Sequence, residues 1–72
     1  MSMQYTIIIE KAKNNYSAYA PDLPGCITTG KTIEETSRNM QEAIALHIRG
    51  MREDGDPIPE PTTTAAVVEV AA

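Results

Sequence analysis

The sequence predicts an α+β fold of order β-β-β-α-β, a mixed four-stranded sheet with one helix on one face. Three observations predict it. Short β-branched and apolar stretches punctuated by Asn, Pro and Gly fill the N-terminal part of the chain. A long stripe of apolar residues at helical spacing follows. A last β-prone stretch, Thr64 to Val70, lies beyond a proline-rich segment.

Met3 to Glu10 is the first strand. Alternation puts Tyr5, Ile7 and Ile9 on one face and Thr6 and Ile8 on the other. Apolar residues on both faces predict an interior strand. Lys11-Ala12-Lys13-Asn14-Asn15 is polar and ends in two asparagines, which suits a hairpin loop. Tyr16 to Ala20 is the second strand. The run Tyr19-Ala20-Pro21-Asp22-Leu23-Pro24-Gly25-Cys26 then makes a stiff turn. Each proline fixes its own φ and biases the residue before it toward extended geometry, and Gly25 can take a positive φ. Cys26-Ile27-Thr28-Thr29 is the third strand, ended by Gly30.

Thr32 begins the helix as its cap, and Glu35 is placed to reach back and complete a capping box. Glu34 and Glu35 sit where the helix dipole favours negative charge, and Arg49 and Arg52 where it favours positive charge. Ile33, Met40, Ile44, His47, Ile48 and Met51 share one stripe. Asp54-Gly55-Asp56-Pro57 stops the helix near Glu53, with Gly55 as the left-handed cap. Pro57-Ile58-Pro59-Glu60-Pro61 carries the chain back as a rigid extended linker without pairing. In the last strand Ala66, Val68 and Val70 share a face. Placed parallel and next to the first strand, it makes that strand central, in the order of a truncated ribonuclease H-like fold.

At 72 residues the chain is expected to be a single domain over 1–72. Its 42% of hydrophobic residues include no Phe or Trp, so Ile, Leu, Val, Met, Ala and three tyrosines must build the core. A domain this small buries only ~60% of its unfolded surface. Without a disulfide or metal to staple it, self-association to a homodimer or a dimer of dimers is expected. One helix covers one face of the sheet, so the other face or an edge must meet something else. The net charge of −4 argues against direct nucleic-acid binding and suits a basic protein partner. A single cysteine points to a reducing compartment. No membrane span or signal peptide is expected, the start Met1-Ser2-Met3-Gln4 lacking a basic segment followed by an apolar one. The protein therefore reads as cytoplasmic.

Catalysis, cofactor and metal are not expected. His47 lies on the apolar stripe with no nucleophile or orienting group identifiable beside it. Cys26 reads as a small buried hydrophobe, because Asp22 and Thr28 give it no electropositive surround. A two-metal nuclease would want an acid in the middle of the first strand, where Ile7, Ile8 and Ile9 stand. Glu10, Glu42 and Glu69 read as solvated surface acids. Asp22 reads either as a turn carboxylate bonding a local backbone N–H or as an acid offered to a basic partner.

The proline–glycine turn, with Gly30-Lys31-Thr32, Glu34-Glu35, Asn39, Glu42-Ala43-Ile44, Gly55, Ile58-Pro59 and Pro61, resembles the HicB antitoxin family over about residues 3 to 70. The resemblance implies a partial ribonuclease H-like fold and a partner, the HicA toxin, a small basic messenger-RNA interferase whose active site HicB masks. Many family members add a C-terminal DNA-binding segment. This chain is read as a short form without one, so it is not expected to bind nucleic acid by itself. Tyr19, Pro21, Asp22, Leu23, Pro24 and Gly25 are the candidate partner-binding residues. The competing expectation is a stand-alone, non-catalytic oligomeric binding or scaffold protein without a toxin.

Overall fold

The structure, a computed structural model, describes residues 3–72. Met1 and Ser2, part of the expected leaderless start, lie outside the described residues. Three strands form an antiparallel sheet in the order β1-β2-β3: β1 Ile8–Lys11, β2 Tyr16–Tyr19 and β3 Ile27–Gly30. One helix, α1 Ile33–Glu53, follows. The register pairs Ile8 with Tyr19 and Lys11 with Tyr16, then Tyr19 with Ile27 and Tyr16 with Gly30.

Side-chain alternation settles the two faces. Ala18, Ala20, Leu23, Cys26 and Met40 are the buried core, with Tyr5, Ile7, Ile9, Ala43 and Ile44 packed against it. The face expected to carry Tyr5, Ile7 and Ile9 together is the inner one. The sheet's small inward residues, Ala18, Ala20 and Gly30, let α1 approach β2 and β3 closely. At Gly30 an added Cβ would stand 2.7 Å from the Thr36 amide nitrogen and 2.9 Å from its Cα. Only glycine admits the helix there.

The termini of α1 follow from their sequences. Thr32 is in extended conformation, and its Oγ1 accepts a 3.0 Å hydrogen bond from the Glu35 amide. The reciprocal arm of the capping box, from Glu35 back to Thr32, does not form in this exposed position. At the other end Gly55 has φ +75°; its amide donates to Arg52 O, and the Asp56 amide to Met51 O. That pair of bonds is a Schellman motif. Of the helical stripe, Met40 is buried and Ile44, His47, Ile48 and Met51 are half-buried, but Ile33 is half exposed.

The expected fourth strand is not formed. After α1 the chain has no regular secondary structure, and Thr64 to Ala72 pairs with no strand and is exposed throughout. This corrects the four-stranded mixed sheet to a three-stranded antiparallel one. It also leaves β1 at an edge instead of in the middle. The physical reason is that Pro59 to Thr63 is fastened at one end of the sheet, and beyond Thr63 none of the described residues holds the segment against β1 by a hydrogen bond.

Candidate functional site

The turn between β2 and β3 is two β-turns in succession. The Leu23 amide donates to Ala20 O at 3.0 Å and the Cys26 amide to Leu23 O at 3.1 Å. Pro21 and Pro24 each occupy the second position of a turn, where their fixed φ is wanted. Gly25, with φ +85°, takes the third position of the second turn. The Ala20 amide donates to Cys26 O and closes the loop at its base. Leu23 is completely buried and plugs the loop into the core, while Pro24 and Gly25 stand exposed at its tip.

Asp22 has a task that neither sequence-based alternative foresaw. Its Oδ2 accepts from the amides of Thr62 and Thr63 at 3.1 and 3.0 Å. Its Oδ1 accepts from their hydroxyls at 3.2 and 2.7 Å. These donors lower its pKa below the ordinary carboxylate value, the Thr63 hydroxyl most and the Thr63 amide next. The carboxylate thus holds the returning C-terminal segment, forty residues away, rather than its own turn. Two further bonds support it: Tyr5 Oη donates to Pro59 O at 2.6 Å and Thr6 Oγ1 to Thr63 O at 2.7 Å. The signal in sequence was the Thr62-Thr63-Thr64 run, a cluster of hydroxyls and amides that needs an acceptor.

The outer face of the sheet is the second feature. Ile8, Tyr19 and Ile27 are direct cross-strand neighbours and form an apolar row across all three strands. Tyr19 is 40% exposed and Ile27 70%. The next row, Glu10, Ser17 and Thr29, is polar. Of the six candidate partner-binding residues, Tyr19, Pro24 and Gly25 present surface. Pro21 and Asp22 are half-buried, and Leu23 anchors the loop. Ile27, beside Tyr19, joins this surface; its place on the strand opposite Tyr19 becomes visible only once the register is known.

The other polar candidates lie apart. Cys26 is buried, and burial raises its thiol pKa. His47 is half-buried on α1. Among the described residues, no three His, Cys, Asp or Glu side chains come together as metal ligands do, so Glu10, Glu42 and Glu69 are not assembled. No helix of the described residues is long and apolar enough to cross a membrane.

Comparison with known proteins agrees with the sequence resemblance. The family model of the HicB-like antitoxin of bacterial toxin–antitoxin systems matches residues 5–71. A 14.9 kDa protein of Haemophilus phage HP1 is 45% identical over 58 residues, covering 81% of this chain. The chain spans only 44% of that phage protein's length. A UPF0150 protein of Thermoplasma acidophilum is 41% identical over 79% of this chain and 84% of its own. Among solved structures, the HicA3 and HicB3 toxin–antitoxin complex contains a chain with a TM-score of 0.73 and 37% identity, covering 83% of this chain and 70% of that one. The chain belongs to the HicB-like antitoxin family of bacterial toxin–antitoxin systems.

Proposed function

We infer that this protein is the antitoxin of a type II pair: it binds a HicA-like messenger-RNA interferase and masks its active site. The likeness to a chain of the HicA3–HicB3 complex, at 37% identity, supports this reading most. The protein acts stoichiometrically and without catalysis, in the cytoplasm. Its three strands and helix form the partial ribonuclease H-like unit that the family resemblance implies.

The toxin meets the row Ile8, Tyr19 and Ile27 together with the tip of the proline–glycine turn. That surface is apolar at its centre and set on rigid backbone, so little ordering entropy opposes docking. Pro21, Asp22 and Leu23 act from beneath by fixing the turn. The net charge of −4 draws a basic ribonuclease to the site.

The test is co-purification of the tagged chain with a HicA-type protein encoded beside it, followed by RNA cleavage with and without the chain. Stoichiometric suppression of cleavage is the expected result. Absence of binding at micromolar concentration would leave a stand-alone oligomeric scaffold as the better description.

A further inference from the structure

We propose that the exposed C-terminal arm, Thr64 to Ala72, is an exchange strand: in a homodimer, each arm adds to the open β1 edge of the other copy. This goes beyond the antitoxin reading and does not rest on it.

Three observations carry the proposal. The first is an arm with no partner of its own. Among the described residues the hydrogen bonds that hold the C-terminal segment end at Thr63. Val67, Val68 and Val70 are 99%, 78% and 77% exposed. The radius of gyration is 13.8 Å and the longest dimension 48 Å. A compact chain of this length would have a radius of gyration of about 11 Å. Protruding β-branched residues of this kind are costly unless they are covered.

The second is an edge built for an interior strand. β1 and the residues leading into it are apolar on both faces, with Tyr5, Ile7 and Ile9 inward and Ile8 outward. Its outer backbone edge has no neighbour in the sheet. Proteins ordinarily blunt such an edge with charge, proline or a bulge. From Tyr5 to Ile9 there is neither charge nor proline, and the charged Glu10 and Lys11 stand only at the far end of β1.

The third is a groove where the added strand's inward side chains would go. Because α1 packs over β3 and β2, it leaves a cleft of about 390 Å³ beside the start of β1. Met3, Tyr5, Ile7, Met40 and Ile44 line it. In an extended arm Ala66, Val68 and Val70 fall on one face and Val67 and Glu69 on the opposite, solvent face. The apolar face suits the apolar part of this lining, which Gln4, Ser37 and Gln41 complete.

The roots of the arms explain why the partner is a second copy. Asp22, Thr6 and Tyr5 fix residues 59 to 63 to their own fold, and the arm then departs from it. Its nine residues reach about 30 Å when extended, enough to cross a two-fold axis. Reciprocal exchange closes the assembly as a dimer and covers the Val68 and Val70 face of both arms at once.

The test uses the full chain and two arm variants, Val68→Glu and the double variant Val68→Glu with Val70→Glu. Both residues are exposed in the single copy, so neither change disturbs its own core. Sedimentation at micromolar concentration should show a dimer for the wild type. The double variant should raise the dimer dissociation constant by about a hundredfold or more, two buried valines being replaced by charges. In a sample mixing isotope-labelled and unlabelled chains, contacts from the Val68 and Val70 methyls to Ile7 and Ile44 should be between chains. A monomeric wild type, a dimer indifferent to the double variant, or contacts only within one chain would each overturn the proposal. So would an arm that becomes protected solely when a HicA-type toxin is added, which would make the toxin its occupant. Toxin binding is scored separately, so failure of the exchange leaves the antitoxin reading intact.

Discussion

Asp22 and Leu23 are adjacent in a rigid loop and work in opposite directions. Leu23 points into the core and is fully buried. Its replacement by alanine should cost about 2–5 kcal/mol by denaturant titration, as for other buried leucines whose sites relax incompletely. Asp22 points to the C-terminal segment and accepts four hydrogen bonds. Asp22→Asn should leave the β-sheet and α1 intact while speeding amide exchange at Thr62 and Thr63, because an amide cannot accept on both heads. The pH dependence follows from the direction of the shift. A carboxylate whose folded pKa is lowered contributes fully above its unfolded value and loses that contribution as pH falls through the folded one. The Thr63 amide should therefore stay protected from neutrality down to the ordinary value of 3.8, and open only below it. The loop's stiffness was legible in sequence because proline and glycine dictate backbone angles locally. The use of Asp22 was not, because its donors lie forty residues away and composition carries no distance.

At the level of elements, the helix was the most legible part of the chain. Its cap, stripe and stop are all local signals, and the observed bounds Ile33–Glu53 follow them. Ile33 shows the limit: it fits the stripe by spacing, yet as the first residue of α1 it stays half exposed. The junction of β3 with α1 depends on Gly30 and Thr36, and Thr36 is fully buried against it. Gly30→Ala should destabilise by about 1–3 kcal/mol, because the Thr36 amide nitrogen and Cα it meets, besides the Thr36 hydroxyl, are helix backbone and cannot rotate away. Thr32→Ala, by comparison, should cost about 1 kcal/mol, the usual loss of a single N-cap acceptor. The two variants separate tertiary fit from local capping at neighbouring positions. The fourth strand was misread for an equally physical reason. Thr64 to Val70 has strand composition, but a strand exists only when an edge accepts it, and no edge of its own sheet does.

The whole molecule has two surfaces with different characters, and they should respond differently to salt. The outer sheet row and turn tip form a small apolar patch on an acidic body of net charge −4. If the docked toxin is basic, long-range attraction speeds encounter, whereas the apolar centre governs how long the complex lasts. Raising ionic strength from about 0.01 M to about 0.15 M shortens the screening length from about 30 Å to about 8 Å. The association rate with a HicA-type toxin should therefore fall by tenfold or more, at roughly constant dissociation rate. Ile27→Glu should do the reverse. It adds one more negative charge, which leaves encounter with a basic partner at least as fast, but it places that charge in the apolar row itself, at its β3 end beside Tyr19. Dissociation should speed by about a hundredfold, in the range of an interface hot spot. Because Ile27 is 70% exposed, the substitution leaves the fold and its stability unchanged. Stopped-flow kinetics of the two proteins against salt, with wild type and Ile27→Glu, measure both quantities. Equal sensitivity of both rates to salt, or an unaltered dissociation rate for Ile27→Glu, would move the toxin contact away from this face of the sheet.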